Sequence, residues 1–309
     1  MRRLHLRFSS PCASAFLAPP QWNCHCDNCR AARAGDPRIT PRTQSSIAVS
    51  SDGADWLLVN ASPDVLQQLR HNAMLTRCDS LRGSAITAIL LMDAQIDHVV
   101  GLFMLRESHQ RLVIPATTSV LEDLRTALPI LPTLEHYCGV AVKPIEDFDT
   151  PFAIDTLAGL QLQALPLSSK APPYSPKRSR PTPGDNIGVR FIDAASGRSL
   201  FYAPGLGQID PQVLQAMQDA DVLLVDGRLW SEQEMQTLGL GRKTASEMGH
   251  LPLSGPEGML EVLARFPHKR RILTHINNSN PALCDGSAER QALEAAGIEL
   301  AFDGMEIEL

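Results

Sequence analysis

The chain has 309 residues, 44% of them hydrophobic, and a formal net charge of −6 at pH 7. No basic block stands out and no stretch approaches the roughly 20 apolar residues of a spanning helix, which argues against nucleic acid, an anionic membrane surface and a membrane span. Seven cysteines, three of them crowded at Cys24, Cys26 and Cys29, point to metal binding in a reducing compartment, hence the cytoplasm, rather than to a disulfide framework. Met1-Arg2-Arg3 followed by Phe16-Leu17-Ala18 is not read as a signal peptide, because Ser, Pro and Cys interrupt the apolar run. Length alone suggests about two domains, but a layered sandwich uses 1–309 as one.

In chain order, residues 4–8 alternate apolar and polar and suit a first strand, and 9–20 form a loop. Cys24, Cys26 and Cys29, spaced Cys-x-Cys-x-x-Cys, can reach one tetrahedral zinc ion, with no fourth ligand apparent locally. Residues 45–50 and 55–60 flank Ser51-Asp52-Gly53-Ala54 as a hairpin. Ser62 caps a helix through Arg70, with Pro63 at its first position. A buried strand over 87–91 runs into a polar corner of Asp93, Gln95, Asp97 and His98. A helix over 99–107 follows, its first turn presenting His98. Residues 117–127 make a further amphipathic helix, and His109 and His136 read as surface or structural residues.

Residues 159–167 alternate as a strand. The proline-rich, basic stretch 168–184 cannot be a regular element. It is either a solvated loop or a lid whose Lys170, Tyr174, Lys177, Arg178 and Arg180 meet a carboxylate-bearing substrate. Paired strands over 187–191 and 199–203 precede a helix from Asp210-Pro211 to 219. A buried strand over 222–225 ends at Asp226. His250 precedes a helix from about 256 to 265, and a strand over 271–274 delivers His275. The last helix covers 287–296 and the last strand 298–302. This alternation predicts an α/β fold of two mixed sheets packed face to face with helices outside. Asp97 and His98, Asp226 and His275 then lie at three strand ends, with His250 on a fourth loop. Each alone would be structural; their recurrence at strand ends favours one shared site.

The frame Asp93-Ala94-Gln95-Ile96-Asp97-His98 resembles the His-x-His-x-Asp-His loop of the metallo-β-lactamase superfamily, with the first two histidines replaced. The resemblance implies an αββα sandwich with Asp97, His98 and His275 as ligands of the superfamily's second metal. The first metal's ligands are absent. Asp93 and Gln95 replace two histidines, the loop histidine falls near Ser168-Ser169, and the bridging aspartate falls near Pro204-Gly205. One metal is therefore expected, held by two histidines and a carboxylate, the set typical of mononuclear non-haem iron(II), with zinc as the alternative. Hydrolysis by two metals is disfavoured. Asp93 and Asp226 would orient ligands or join the shell, and His250 would donate or accept a proton.

From Pro20 to Leu309 the chain resembles, more narrowly, the family of pyrroloquinoline quinone (PQQ) biosynthesis B proteins. The likeness rests on Pro20-Gln21-Trp22-Asn23-Cys24, Asn60-Ala61-Ser62-Pro63-Asp64, Gln95-Ile96-Asp97-His98 and Ala171-Pro172-Pro173-Tyr174-Ser175-Pro176. It continues in Pro183-Gly184-Asp185-Asn186, Met248-Gly249-His250-Leu251, His275-Ile276-Asn277-Asn278 and Phe302-Asp303-Gly304-Met305. The family's glycine-rich turn before the first of these is missing here. The resemblance implies Fe²⁺- and O₂-dependent hydroxylation of the tyrosine of a Glu-Tyr-derived precursor, or else carriage of PQQ or its precursor to the periplasm. The partner would be a small Glu-Tyr peptide or a PQQ-like ligand, and a homodimer is compatible with it. Related phosphodiesterases of the superfamily place the fourth ligand of the cysteine zinc at the position of Asn278, a weak zinc ligand, which leaves Asn278, water or a distant histidine open.

Overall fold

A computed structural model of the chain describes residues 9–12 and 19–309; the strand expected over 4–8 lies outside them. Two mixed sheets face one another. The first runs Ser9–Cys12, Ser46–Val49, Trp56–Val59 and Ile86–Leu90. The pair Leu112–Thr117 and Val140–Ile145 continues it through a bond from the Leu91 N–H to the Pro115 carbonyl, 3.1 Å. The second sheet has the order Ile298–Leu300, Arg270–Thr274, Val222–Asp226, Ser199–Ala203, Ile187–Asp193, Leu160–Pro166 and Phe152–Ala153.

Side chains on successive strand residues point to opposite faces, which sorts these apolar runs into layers. Leu57, Val59, Leu90 and Met92 face Leu162, Val189, Phe191, Leu224 and Ile272 in the central core. The intervening Leu58, Ile89 and Leu91 pack outward with Val120, Leu121 and Leu124 of the helix Thr118–Thr126. On the far side Phe201, Leu223, Val225 and Leu273 meet Val213 and Met217 of the helix Pro211–Asp219 and Val262 and Leu263 of Met259–Ala264. Burial on both faces is why these strands read as continuous apolar runs rather than as alternations. Among the described residues, no helix is long and apolar enough to cross a membrane.

Several expectations need correction. Ser9–Cys12, expected in a loop, is a strand antiparallel to Ser46–Val49. Ser62 is not the cap of its helix, which covers Val65–His71 after Asp64. Its hydroxyl instead donates to Asp64, whose other carboxylate oxygen accepts from the Gln44 N–H, so a local bond has taken the hydroxyl and a tertiary one the carboxylate. The helix expected over 99–107 starts earlier, as Ile96–Val99, and tightens into a 3₁₀ turn over Val100–Leu105. The strands Leu112–Thr117 and Val140–Ile145 and the helix Asp27–Arg33 were not anticipated.

Candidate metal centre

Both sheets meet at one corner. The Ile187 N–H donates to the Met92 carbonyl (3.0 Å), and Asp93 bridges to Asn186 just beyond. Asp97 and His98 stand on the single turn Ile96–Val99 that follows the strand Ile86–Leu90. The turn is clamped to the neighbouring strand end: the His98 carbonyl accepts from the Ala61 N–H (2.6 Å) and the Gly101 N–H donates to Ala61 (2.9 Å). A Cβ at Gly101 would meet the Ser62 carbonyl oxygen at 2.1 Å, so only glycine permits this approach. From the second sheet come Asp226, ending its strand, and His275, which follows Arg270–Thr274 with φ +59°. His250 follows Gly249, whose φ is +86°.

All five side chains are buried. Ligand atoms of Asp97, His98 and His275 lie within 4.8 Å of one another, and so do those of Asp226, His250 and His275. The carboxylates divide the work. Asp93 Oδ1 lies 2.7 Å from His98 Nδ1 and accepts from the Gln95 N–H, leaving His98 Nε2 directed at Asp97 Oδ2, 3.6 Å away. Asp226 Oδ2 holds His250 Nδ1 at 2.5 Å, and its Oδ1 holds His275 Nδ1 at 3.3 Å. The Leu206 and Arg228 N–H groups complete its shell at 3.1 Å each. Carboxylates on Nδ1 fix each tautomer and leave Nε2 as the outward-facing nitrogen, the arrangement of metal-bound histidines.

The electrostatics call for a cation. Burial pulls the His98 imidazolium down, but Asp93 and Asp97 outweigh it and raise its pKa to about 9. A proton on Nε2 would be a donor without a partner, because that atom is buried and makes no hydrogen bond. A divalent ion there satisfies both the lone pair and the surrounding carboxylates. His275 is lowered to about 4, chiefly by burial, and so is neutral and able to ligate. For Asp226 burial works upward, yet His250 and His275 hold it at about 2. The donor set therefore fits one divalent ion between Asp97, His98 and His275.

The positions of the missing first-metal ligands are filled in another way. Asp93 is committed to His98. A Cβ at Gly205 would come within 2.7 Å of Asn186 Nδ2, so Asn186 stands where a side chain at 205 would go.

Cys24, Cys26 and Cys29 also converge, with sulfurs within 4.8 Å of one another. Burial and its neighbours push the Cys26 thiol up to about 12; Cys24, despite burial, is drawn below its ordinary value by hydrogen bonds from Cys26, Cys29 and Asn278. The Asn278 amide lies among the three sulfurs, its Nδ2 3.0, 3.4 and 3.3 Å from Cys24, Cys26 and Cys29. Oδ1 and Nδ2 exchange by a half-turn of the amide, which would face a ligand oxygen toward the same centre.

The stretch 168–184 contains no regular element, as expected, and three of the side chains expected to face a substrate make contacts within the protein. The Tyr174 hydroxyl donates to the Ala94 carbonyl inside the metal loop. Lys177 Nζ donates to Ser119 (2.8 Å) and pairs with Glu122 and Asp123 at 3.4 and 3.5 Å. Arg178 Nη1 donates to the Ala171 carbonyl, 2.5 Å. These groups tie the segment to the helix Thr118–Thr126 and to itself. Lys170 and Arg180 remain exposed. Sequence reasoning missed Arg228, whose Nη1 lies 3.2 Å from His250 Nε2. The available signal was an arginine two residues beyond the buried strand Val222–Asp226, a place where a charge needs a reason.

The model of the β-lactamase superfamily domain matches residues 55–276. With the two-sheet sandwich and the ligand residues at its strand ends, this makes the chain a protein of the metallo-β-lactamase fold. The crystal structure of Zn²⁺-bound PqqB from Methylobacterium extorquens superposes with a TM-score of 0.88 at 34% identity, over 99% of this chain and 100% of that one. Coenzyme PQQ synthesis protein B of Cupriavidus necator is 56% identical over 290 residues, 94% of this chain and 95% of the relative. That of Stutzerimonas stutzeri is 50% identical over 309 residues, 99% and 100% of the two chains. The chain belongs to the coenzyme PQQ synthesis protein B family. A diphosphatase of the PhnP family, 17% identical with a TM-score of 0.68 over 98% of this chain and 97% of its own, shares the fold alone.

Proposed function

We propose that this chain, within coenzyme PQQ synthesis, hydroxylates the tyrosine ring of a small Glu-Tyr peptide with Fe²⁺ and O₂. The observation that carries the reading is the buried, unpartnered Nε2 of His98 facing Asp97, with His275 completing a set of two histidines and one carboxylate. Three protein donors leave the other positions around an ion open. The zinc-bound relative supports metal binding in this family, and the cysteine cluster with Asn278 suits a separate structural Zn²⁺.

When bound, Fe²⁺ would supply oxygen activation. In the balance, a ring C–H becomes C–OH, the second oxygen atom leaves as water, and an external two-electron reductant provides two electrons with two protons from it or from solvent. The chain's own residues set the geometry. Asp93 holds the His98 tautomer, and Asp226 holds His250 and His275. His250, neutral because burial lowers its pKa, has Nε2 free of Asp226 to exchange a proton with the phenol. A phenol reaching it displaces the bond from Arg228.

Oxygen consumption coupled to hydroxylated peptide tests the reading. Iron-loaded wild type should show it, and His98→Ala and His275→Ala should not. Tight binding of PQQ without turnover of any tyrosine peptide would replace it with carriage.

A further inference from the structure

Arg228 has a fixed backbone and an uncommitted head. Its N–H donates to Asp226 Oδ1 (3.1 Å), and its carbonyl accepts from the Asn277 N–H (2.9 Å), so the two strand-end loops of the second sheet grip it from both sides. The side chain is partly buried and donates from Nη1 to His250 Nε2 at 3.2 Å. Because His250 Nδ1 is held by Asp226, Nε2 is the acceptor of that bond. The guanidinium Nε and Nη2 make no hydrogen bond among the described residues, and neither is sealed from solvent.

The bland explanation is charge balance. Asp93, Asp97 and Asp226 are three buried carboxylates, and a divalent ion offsets only two. A guanidinium recruited for that purpose would turn its planar fork onto a carboxylate, where paired charge-assisted bonds are strongest. Arg228 does not. Among the described residues no ion pair joins its side chain to Asp97 or Asp226, although it lies close enough to feel both charges. It contacts a neutral imidazole and leaves donors open beside the metal centre. Lys177 and Arg178 are committed to Ser119 and to the Ala171 carbonyl, and Lys170 and Arg180 are exposed.

We infer that Arg228 is the carboxylate anchor of the substrate site, receiving one carboxylate of the aromatic ligand on its free donors while the ring lies toward His98 and His275. This rests on the reading that the substrate is a carboxylate-bearing tyrosine peptide. A charged donor pair facing a carboxylate favours it over the neutral amide, because the amide gives no charge-assisted pairing. Arg228 therefore sets specificity for the acid over its amide.

The test uses full-length, Zn²⁺-loaded protein and isothermal titration with three probes: Glu-Tyr, its C-terminal amide, and Gln-Tyr. Wild type should bind at least one neutral analogue about tenfold or more weakly than Glu-Tyr, the loss of a charge-assisted pair. Arg228→Gln should bind all three within about twofold of one another, a flattening that a merely structural loss does not produce. A crystal structure of wild type with Glu-Tyr decides without any variant, should Arg228→Gln fail to fold: a carboxylate oxygen should lie within hydrogen-bond distance of Nε or Nη2. Equal binding of all three probes by wild type, undetectable Glu-Tyr binding, retained discrimination in Arg228→Gln, or a carboxylate seated away from Arg228 would each overturn the anchor. Oxygen consumption separates this from the reaction. Discrimination through Arg228 without turnover keeps the anchor and removes hydroxylation; equal turnover of acid and amide does the reverse.

Discussion

His98 shows how one side chain is prepared by its neighbours. Its Nδ1 faces Asp93 at 2.7 Å and its Nε2 faces the shared centre without a partner. Asp93 stands where the wider superfamily has a histidine ligand, so a ligand position has become a ligand-orienting one. Asp93→Asn keeps the size of the side chain but replaces a carboxylate with an amide that can present its NH₂ to Nδ1. The expected result is a metal affinity at the Asp97, His98 and His275 site lowered by roughly 10–100-fold with the fold intact, since outer-shell carboxylates have that effect. Competitive zinc titration measures it, and unchanged affinity would show that Asp93 is not the orienting group.

The short helix Asp27–Arg33 and the segment after the strand Arg270–Thr274 behave as one unit. Asn28 Nδ2 donates to the carbonyls of Asn278 and Asn280, both at 2.9 Å, while the Asn278 side chain reaches back to the three sulfurs. That segment begins at His275, whose φ of +59° is unusual for a residue with a side chain and has to be held by its surroundings. Zinc at the cysteines would hold it. Cys26→Ser should remove one zinc per chain, lower thermal stability, and weaken metal binding at His275 although no ligand there has changed. Zinc content together with a titration of the remaining site provides the check; undiminished stoichiometry would rule out the cysteine site.

The whole molecule places its candidate metal centre on the seam between sheets, Asp97 and His98 from one and Asp226, His250 and His275 from the other. Metal-free stability should therefore depend on pH through these buried groups. His98 has a folded pKa near 9 against about 6.5 unfolded, so its contribution is complete below 6.5 and lost as pH rises through 9. His275, lowered to about 4, acts oppositely: the unfolded chain takes up a proton first, so stability is lost as pH falls from 6.5 toward 4. The melting temperature of chelator-stripped protein should peak near pH 6.5. Saturating Zn²⁺, which takes the place of the proton on His98, should flatten the alkaline side, and His98→Gln should abolish that side in the stripped protein. An alkaline limb that survives in His98→Gln would assign it to another group.

Local chemistry made much of this legible in the sequence. Asp210-Pro211 starts its helix as expected, Asp210 accepting from the Val213 N–H at 2.9 Å, and Ser287 caps Ala288–Ala295. Apolar runs marked the buried strands, and polar residues at their ends marked Asp97, His98, Asp226 and His275 as one group. The strands Leu112–Thr117 and Val140–Ile145 escaped because each is partly exposed and carries a proline, so neither looks like a core strand. Charge in the stretch 168–184 was visible, but its direction was not. Whether Lys177 faces a substrate or Ser119, and whether Tyr174 faces a ligand or Ala94, depends on where a helix some fifty residues earlier, or the metal loop, comes to lie. Arg228 is the converse case: the sequence shows an arginine close behind a buried strand, and only the folded loops after the strands of the second sheet set it against His250. Sequence determined which residues end each strand, because period and capping are local; tertiary structure decided which of them meet, because that depends on the packing of two sheets against one core.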